Sequence, residues 1–354
     1  MKARRPNKLA GGPGRRPEVA KYLIVMADGT SGRGTRGLNL YWFLSRYHGR
    51  AVKVVSTAEL KDGTRSCDVL FVCLPTALGK DDLARVRYRH LAVFDYEDTH
   101  KILLDGHSQF LTGLTDRYLK VWSEPGWPLP WKFGVLPIRR HARLPLYLRY
   151  LGVKKAFGAK PPEREWDVTF LGAPTGQDTH SQRVEWLKEI RGAGAKYRFW
   201  GGLAASPDDR TRLAQAGLEG AGLIYEGGRV GYTTFFDMMR KSKVVLAPKG
   251  NAPWSYRHYE AIYAGAIPVS CDLRNVTTLI PLPLDGMVHV PDGTSVLPRI
   301  EEALAAQRPE LLRDNIAFLE RYLSYGAYSR GKPALMDRFL GQLTEPHPPR
   351  RSSG

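Results

Sequence analysis

The stretch APKGNAPWSYRHYEAIYAGAIPVS, Ala247 to Ser270, gathers Lys249, Ser255, Arg257, His258 and Glu260 between two apolar runs. Lys249 and Gly250 follow the run VVLA and so stand at the carboxyl end of a strand, the end at which open parallel sheets bind their ligands. Ser255 reads as the N-cap of a helix over Tyr256–Ala264 whose first turn carries Arg257, His258 and Glu260. A helix N-terminus bearing Arg and Lys suits phosphate. Arg257 and Glu260 are three residues apart and share one helical face. A guanidinium for a diphosphate beside a carboxylate for two ribose hydroxyls is the chemistry that holding a nucleotide-sugar requires.

Three further places carry candidate chemistry. In VFDYEDTH, the carboxylates Asp95, Glu97 and Asp98 follow an apolar run, with His100 beyond them. Carboxylates at a strand's carboxyl end face the ligand crevice, so Asp95 and Asp98 are candidate general bases, and Asp28 holds the corresponding place after the first strand. A solvated acidic loop is the plainer reading of the same string. In MADGTSGRGTRG, Gly32, Gly34 and Gly37 match G-x-G-x-x-G ahead of a helix. The first glycine lies five residues past the strand end, and the second strand closes on Ser56 instead of an acid, so the match does not read as a dinucleotide site. What remains is a loop in which Gly32 and Gly34 line a cleft for phosphate or sugar, or a structural turn. Gly172 with Thr175 in FLGAPTG, and Arg229 in EGGRVGY, are further candidates for contact with the donor.

The elements that must position these groups are legible as short runs. YLIVMA, VKVVS, VLFVCL, LAVFD and YLKVWS are near-continuously apolar, as strands buried on both faces of a parallel sheet are. Between the first two, Leu40, Phe43, Leu44 and Tyr47 fall at helical spacing, which makes a βαβ unit. After a Pro-, Gly- and Arg-rich connection over Phe133–Lys160 the pattern restarts with VTFLG, YRFW, LIY, VVLA, IPVS and MVHV, with helices between them, and two helices follow over Val296–Ala306 and Pro309–Tyr325. The expected fold is α/β, with two Rossmann-like doubly wound parallel-sheet domains facing across a cleft. The division is a basic tail over 1–20, an acceptor-side domain over 21–155, a nucleotide-sugar domain over 160–330, and a terminal helix and tail over 331–354 that returns toward the first domain.

The string PKG…SYRHYEAIYAGAIPV resembles the donor-site block of GT-B glycosyltransferases, in particular the exostosin-like and related bacterial groups. That resemblance implies that Arg257 and Lys249 meet the diphosphate, that Glu260 holds the ribose, and that Gly265 and Pro268 shape the turn into the next strand. Gly250, Ser255 and His258 fall inside the same block. The resemblance departs at Ala252, where many retaining members carry a glutamate eight residues before the position of Glu260, and it leaves the stereochemistry of transfer open. The implied activity is transfer of a sugar from a nucleotide-sugar to an acceptor hydroxyl, with no cofactor and no metal. Asp95, Glu97 and Asp98 also resemble the acidic triplet of metal-dependent glycosyltransferases. A non-catalytic module binding an anionic polymer is the rival from another class.

Composition bounds the rest. With 354 residues the chain exceeds a single core, and 43% apolar residues support globular folding. A net charge of +18 implies an anionic partner: an acidic glycan, lipid headgroups or DNA. Cys67, Cys73 and Cys271 lack metal or disulfide spacing and read as small buried hydrophobes. The first twenty residues have no apolar h-region, and no run reaches the length of a membrane span. The expected location is the cytoplasm, at most on a membrane surface.

Overall fold

The structure is a computed structural model. It describes residues 20–26, 36–97, 99, 101–104, 106–124, 132–136, 162–174, 181–218, 222–228, 230–323 and 334–344. Asp28, Gly32, Gly34, Asp98, His100, Thr175, Arg229 and most of the Arg-rich connection lie outside the described residues.

Seven strands make the first sheet: β1 (Ala20–Met26), β2 (Val52–Ser56), β3 (Arg65–Cys73), β4 (Val86–Arg87), β5 (His90–Asp95), β6 (Arg117–Lys120) and β7 (Phe133–Val135). They run in the order β2-β1-β3-β5-β6-β7, with β4 paired to β3. The second sheet holds β8 (Trp166–Gly172), β9 (Phe199–Leu203), β10 (Ser242–Ala247), β11 (Ile267–Cys271) and β12 (Val288–Val290), in the order β12-β11-β10-β8-β9. Each described pairing is parallel. The fold is therefore α/β with two Rossmann-like parallel sheets. By contact, the chain divides into two compact units, residues 1–93 with 104–116 and residues 94–103 with 117–354.

The apolar runs explain the strands. Leu23, Ile24 and Val25 of β1 are all buried, because both faces of the strand are covered. Ile24 sits in register with Val54 of β2 and Phe71 of β3. The helix Arg36–His48 buries Leu40, Phe43 and Leu44, the stripe expected from their spacing. In the second sheet, Val168, Phe170, Val244, Leu246, Ile267 and Val269 form a core with Val184, Leu187 and Ile190 of the helix Gln182–Gly192.

Two elements differ from the sequence expectation. The strand expected over YRFW lies instead over Phe199–Leu203, and LIY contributes only an isolated bridge between Leu203 and Ile224. The helix Ala334–Thr344 ends the described chain. Its Gln342 side chain accepts from the Val135 N–H at 2.8 Å and donates to the Val135 carbonyl at 2.6 Å. All three cysteines are buried, and among the described residues none forms a disulfide. Among the described residues, no helix is long and apolar enough to cross a membrane.

Candidate anion site at the edge of the second sheet

Strands β8 and β10 are neighbours and parallel, so the loops leaving them open at the same edge of the sheet. Each loop leads into a helix. From β10 the chain passes Lys249 and Gly250 and enters the helix Tyr256–Tyr263. Ser255 is its extended N-cap, and its backbone N–H donates to Nδ1 of His258 at 3.0 Å, so the third helical residue caps backwards. The Ser255 hydroxyl oxygen is itself buried and has no partner among the described residues. From β8 the chain enters the helix Gln182–Gly192 behind the N-cap Ser181, whose hydroxyl oxygen is likewise buried and unpartnered. Two helix N-termini thus open at one sheet edge, with neither serine hydroxyl engaged by a described residue.

Two guanidiniums reach this edge. Arg257 donates from Nη2 to the carbonyl of Leu171 at 2.7 Å and lies 4.7 Å from the ring centroid of Phe170. Its Nε and Nη1 atoms are buried and find no acceptor among the described residues. Burial first, and then the positive charge of Arg183, push its pKa down to about 10, while Glu260 acts in the opposite direction. Arg183, on the first turn of the neighbouring helix, donates to the carbonyl of Ala173. Both arginines lie where glycine has left room. A Cβ on Gly172 would come within 2.6 Å of Arg257 Nη2, and one on Gly250 would collide with Arg183 Nη2.

The remaining members of the predicted set are placed unequally. The Lys249 N–H donates to Gln182 Oε1 at 2.8 Å, which ties the two loops together, while its ammonium lies 3.4 Å from the exposed Asp292. Glu260 is buried and acts on Arg257 through its charge. His258, expected among the donor-binding residues, is instead turned into the protein. It is fully buried, with Nδ1 on Ser255 and Nε2 at 2.8 Å from the Ser270 hydroxyl. Burial pushes its pKa down to about 3, so the ring is neutral. Nδ1 lies 3.0 Å from both the N–H and the carbonyl oxygen of Ser255, and Nε2 pairs with the Ser270 hydroxyl, so the tautomer sets which ring nitrogen donates.

Asp95 is also corrected. It ends β5 as expected, but its side chain turns into the protein and is fully buried. Oδ2 accepts from Lys120 Nζ at 2.7 Å and from the Tyr118 hydroxyl at 3.1 Å, and Oδ1 accepts from the Glu97 N–H at 2.7 Å. Lys120 donates as well to the Lys101 carbonyl at 3.1 Å. A buried carboxylate engaged by three donors serves to tie β5, β6 and the following loop together, and it is closed off from solvent.

Arg183 and Gln182 were missed from the sequence. Their signal was available in principle, since they open a helix just after a strand, as Arg257 does. An Arg on a polar helix turn is nevertheless indistinguishable from a solvated one until β8 and β10 are known to be neighbours.

No protein-family model and no curated protein matches this sequence. Among solved structures, the chain is similar to the N-terminal domain of Candida albicans trehalose-6-phosphate phosphatase, with 9% identity and a TM-score of 0.49 over 94% of this chain and 98% of that one. It is similar also to an alpha1,3-fucosyltransferase, with 9% identity and a TM-score of 0.47 over 93% and 91%. A third is the GtfA/B complex, with 13% identity and a TM-score of 0.47 over 85% of this chain. The chain spans 60% of the length of that last protein. At identities and scores this low, the activities of those proteins stay with those proteins.

Proposed function

We propose that this chain is a glycosyltransferase of the GT-B type that holds the diphosphate of a nucleotide-sugar against Arg257 and Arg183 and passes the sugar to an acceptor hydroxyl. The observation that carries the reading is the pair of guanidiniums brought to one sheet edge, with Nε and Nη1 of Arg257 buried and without an acceptor among the described residues. Like charges gathered at a half-buried spot raise the energy of the empty protein, and an anion with several oxygens reverses that cost. The two helix N-termini add fixed positive ends toward the same anion. The motif around Arg257 supports the same reading, with Glu260 for the ribose.

In this scheme Arg257, Arg183 and the helix ends offset the charge that develops on the leaving diphosphate. That role needs no metal, and transfer is expected to persist in EDTA. With Asp95 committed to Lys120, the base for an inverting transfer would come from Asp98 or Asp28. The net charge of +18 favours an anionic acceptor or surface, whether acidic glycan, lipid headgroup or DNA. The test is a binding and donor-hydrolysis panel over UDP-, GDP-, ADP- and CMP-sugars with EDTA present. Saturable binding of one nucleotide diphosphate together with hydrolysis of its sugar supports the proposal, and a panel with neither overturns it.

A further inference from the structure

A second cavity lies in the same compact unit but is built from other residues. It encloses about 130 Å³ between the segment ahead of the helix Tyr256–Tyr263, the loop after β11 and the helix Ala334–Thr344. Leu273, Val276, Leu282 and Leu284 give it an apolar wall, and its polar groups come from Trp254, Arg338, Thr277 and Thr278, the last with its hydroxyl already committed to the Ile280 carbonyl.

Trp254 is 4% exposed and packs edge-on against Tyr259, with 6.0 Å between ring centroids. Its indole Nε1–H is buried and has no acceptor among the described residues. A buried indole N–H ordinarily finds a partner, and among the described residues this one has none, which leaves it to a ligand's acceptor. Arg338 is exposed, and its one described hydrogen bond is a long one, 3.5 Å to the carbonyl of Thr278. No described carboxylate pairs with it.

The walls are fixed before any ligand arrives. The Tyr259 hydroxyl donates to the Ile280 carbonyl at 2.7 Å, and the Thr278 hydroxyl donates to the same oxygen at 2.6 Å. Thr277 is bridged to Ser123 by two backbone hydrogen bonds. A pre-formed apolar pocket with a few convergent polar groups is the usual form of a small-molecule site. The volume is close to that of cavities that admit benzene, roughly 150 Å³, and is too small for a nucleotide or a disaccharide.

We infer that this cavity binds a small organic carboxylate, an aryl or branched-alkyl acid, whose body fills the apolar wall while its oxygens accept from Trp254 Nε1–H and face the Arg338 guanidinium. A carboxylate has lone pairs enough for both. The inference uses none of the residues assigned to the diphosphate and stands whether or not that assignment holds.

The test is a titration of the full-length protein with benzoate in the absence of nucleotide, followed by indole ¹H–¹⁵N correlation spectra. The Trp254 signal is identified by its loss in Trp254→Phe. The expected result is a saturable shift of that signal with benzoate, with neutral benzyl alcohol binding at least about tenfold more weakly. Arg338→Gln, at an exposed position, should weaken benzoate by a similar factor and leave benzyl alcohol unchanged. A Trp254 signal that does not move saturably overturns the inference, and so does an Arg338→Gln variant that binds benzoate as well as the parent.

Discussion

The Arg257 guanidinium lies over the ring of Phe170 and against the last residues of β8, a position open to it because residue 172 has no side chain. Among the described residues the arginine is thereby held by one hydrogen bond and one aromatic face, with its Nε and Nη1 donors uncommitted. Replacing it by Gln should weaken binding of the cognate nucleotide diphosphate by ten- to a hundredfold, about 1.5–3 kcal/mol. Arg183→Gln should lose affinity to a similar degree while leaving the unliganded protein at least as stable, since it removes a like charge. Titration calorimetry and melting curves read both, and unchanged affinity in the two variants rules the assignment out.

The two glycines allow a separate check. In Gly172→Ala and Gly250→Ala the added methyl meets the end of an arginine and, at Gly172, the edge of the Phe170 ring at 3.1 Å, in neither case backbone. Both variants should therefore fold with nearly parental melting temperatures and bind nucleotide diphosphate several-fold more weakly. A large loss of stability with affinity intact would mean that these positions serve packing alone.

His258 carries a pH signature. Its folded pKa is depressed to about 3, against roughly 6.5 in an unfolded chain, so the unfolded state takes up the proton first as pH falls. The stability contributed by the neutral ring is fully present above about pH 6.5. It is lost toward pH 3 at up to about 1.4 kcal/mol per pH unit. Denaturant unfolding at neutral and mildly acid pH should show a steeper loss for the parent than for His258→Gln, and equal slopes would contradict the buried, neutral assignment.

The pair formed by Asp95 and Lys120 predicts a stability defect instead of a catalytic one. Lys120→Met strands a buried carboxylate and should cost about 3–5 kcal/mol. Asp95→Asn combined with Lys120→Met should recover much of that loss. If Asp95→Asn abolishes transfer while leaving the melting temperature unchanged, Asp95 acts in the chemistry after all.

Much of this arrangement was legible in the residues, unevenly and for physical reasons. The strands of both sheets announced themselves because burial on two faces leaves little choice but apolar residues, as in Leu23 to Val25. β9 was misplaced because its Gly201 and Gly202 dilute the apolar signal on which strand detection rests. The helix carrying Arg257 was clear from its cap and spacing. That His258 on the same turn points inward to Ser270 was not, because every residue from His258 to Tyr263 is buried, polar ones included, so polarity does not mark which face is inward. The commitment of Asp95 was hidden for a similar reason. Its partner Lys120 sits inside the apolar run YLKVWS, and a lysine there reads as solvated until its burial is known.

The contact between Gln342 and Val135 reaches beyond the docking of one helix. β7 is the outermost strand of its sheet, and an outermost strand offers its unpaired amides as a template to any other extended chain. Gln342 occupies both the N–H and the carbonyl of Val135, so one side-chain amide stands in for the strand that would otherwise add there. A chain cut before residue 342 would expose that template. Its first defect should be concentration-dependent self-association, visible by light scattering, ahead of any change in the sheets themselves.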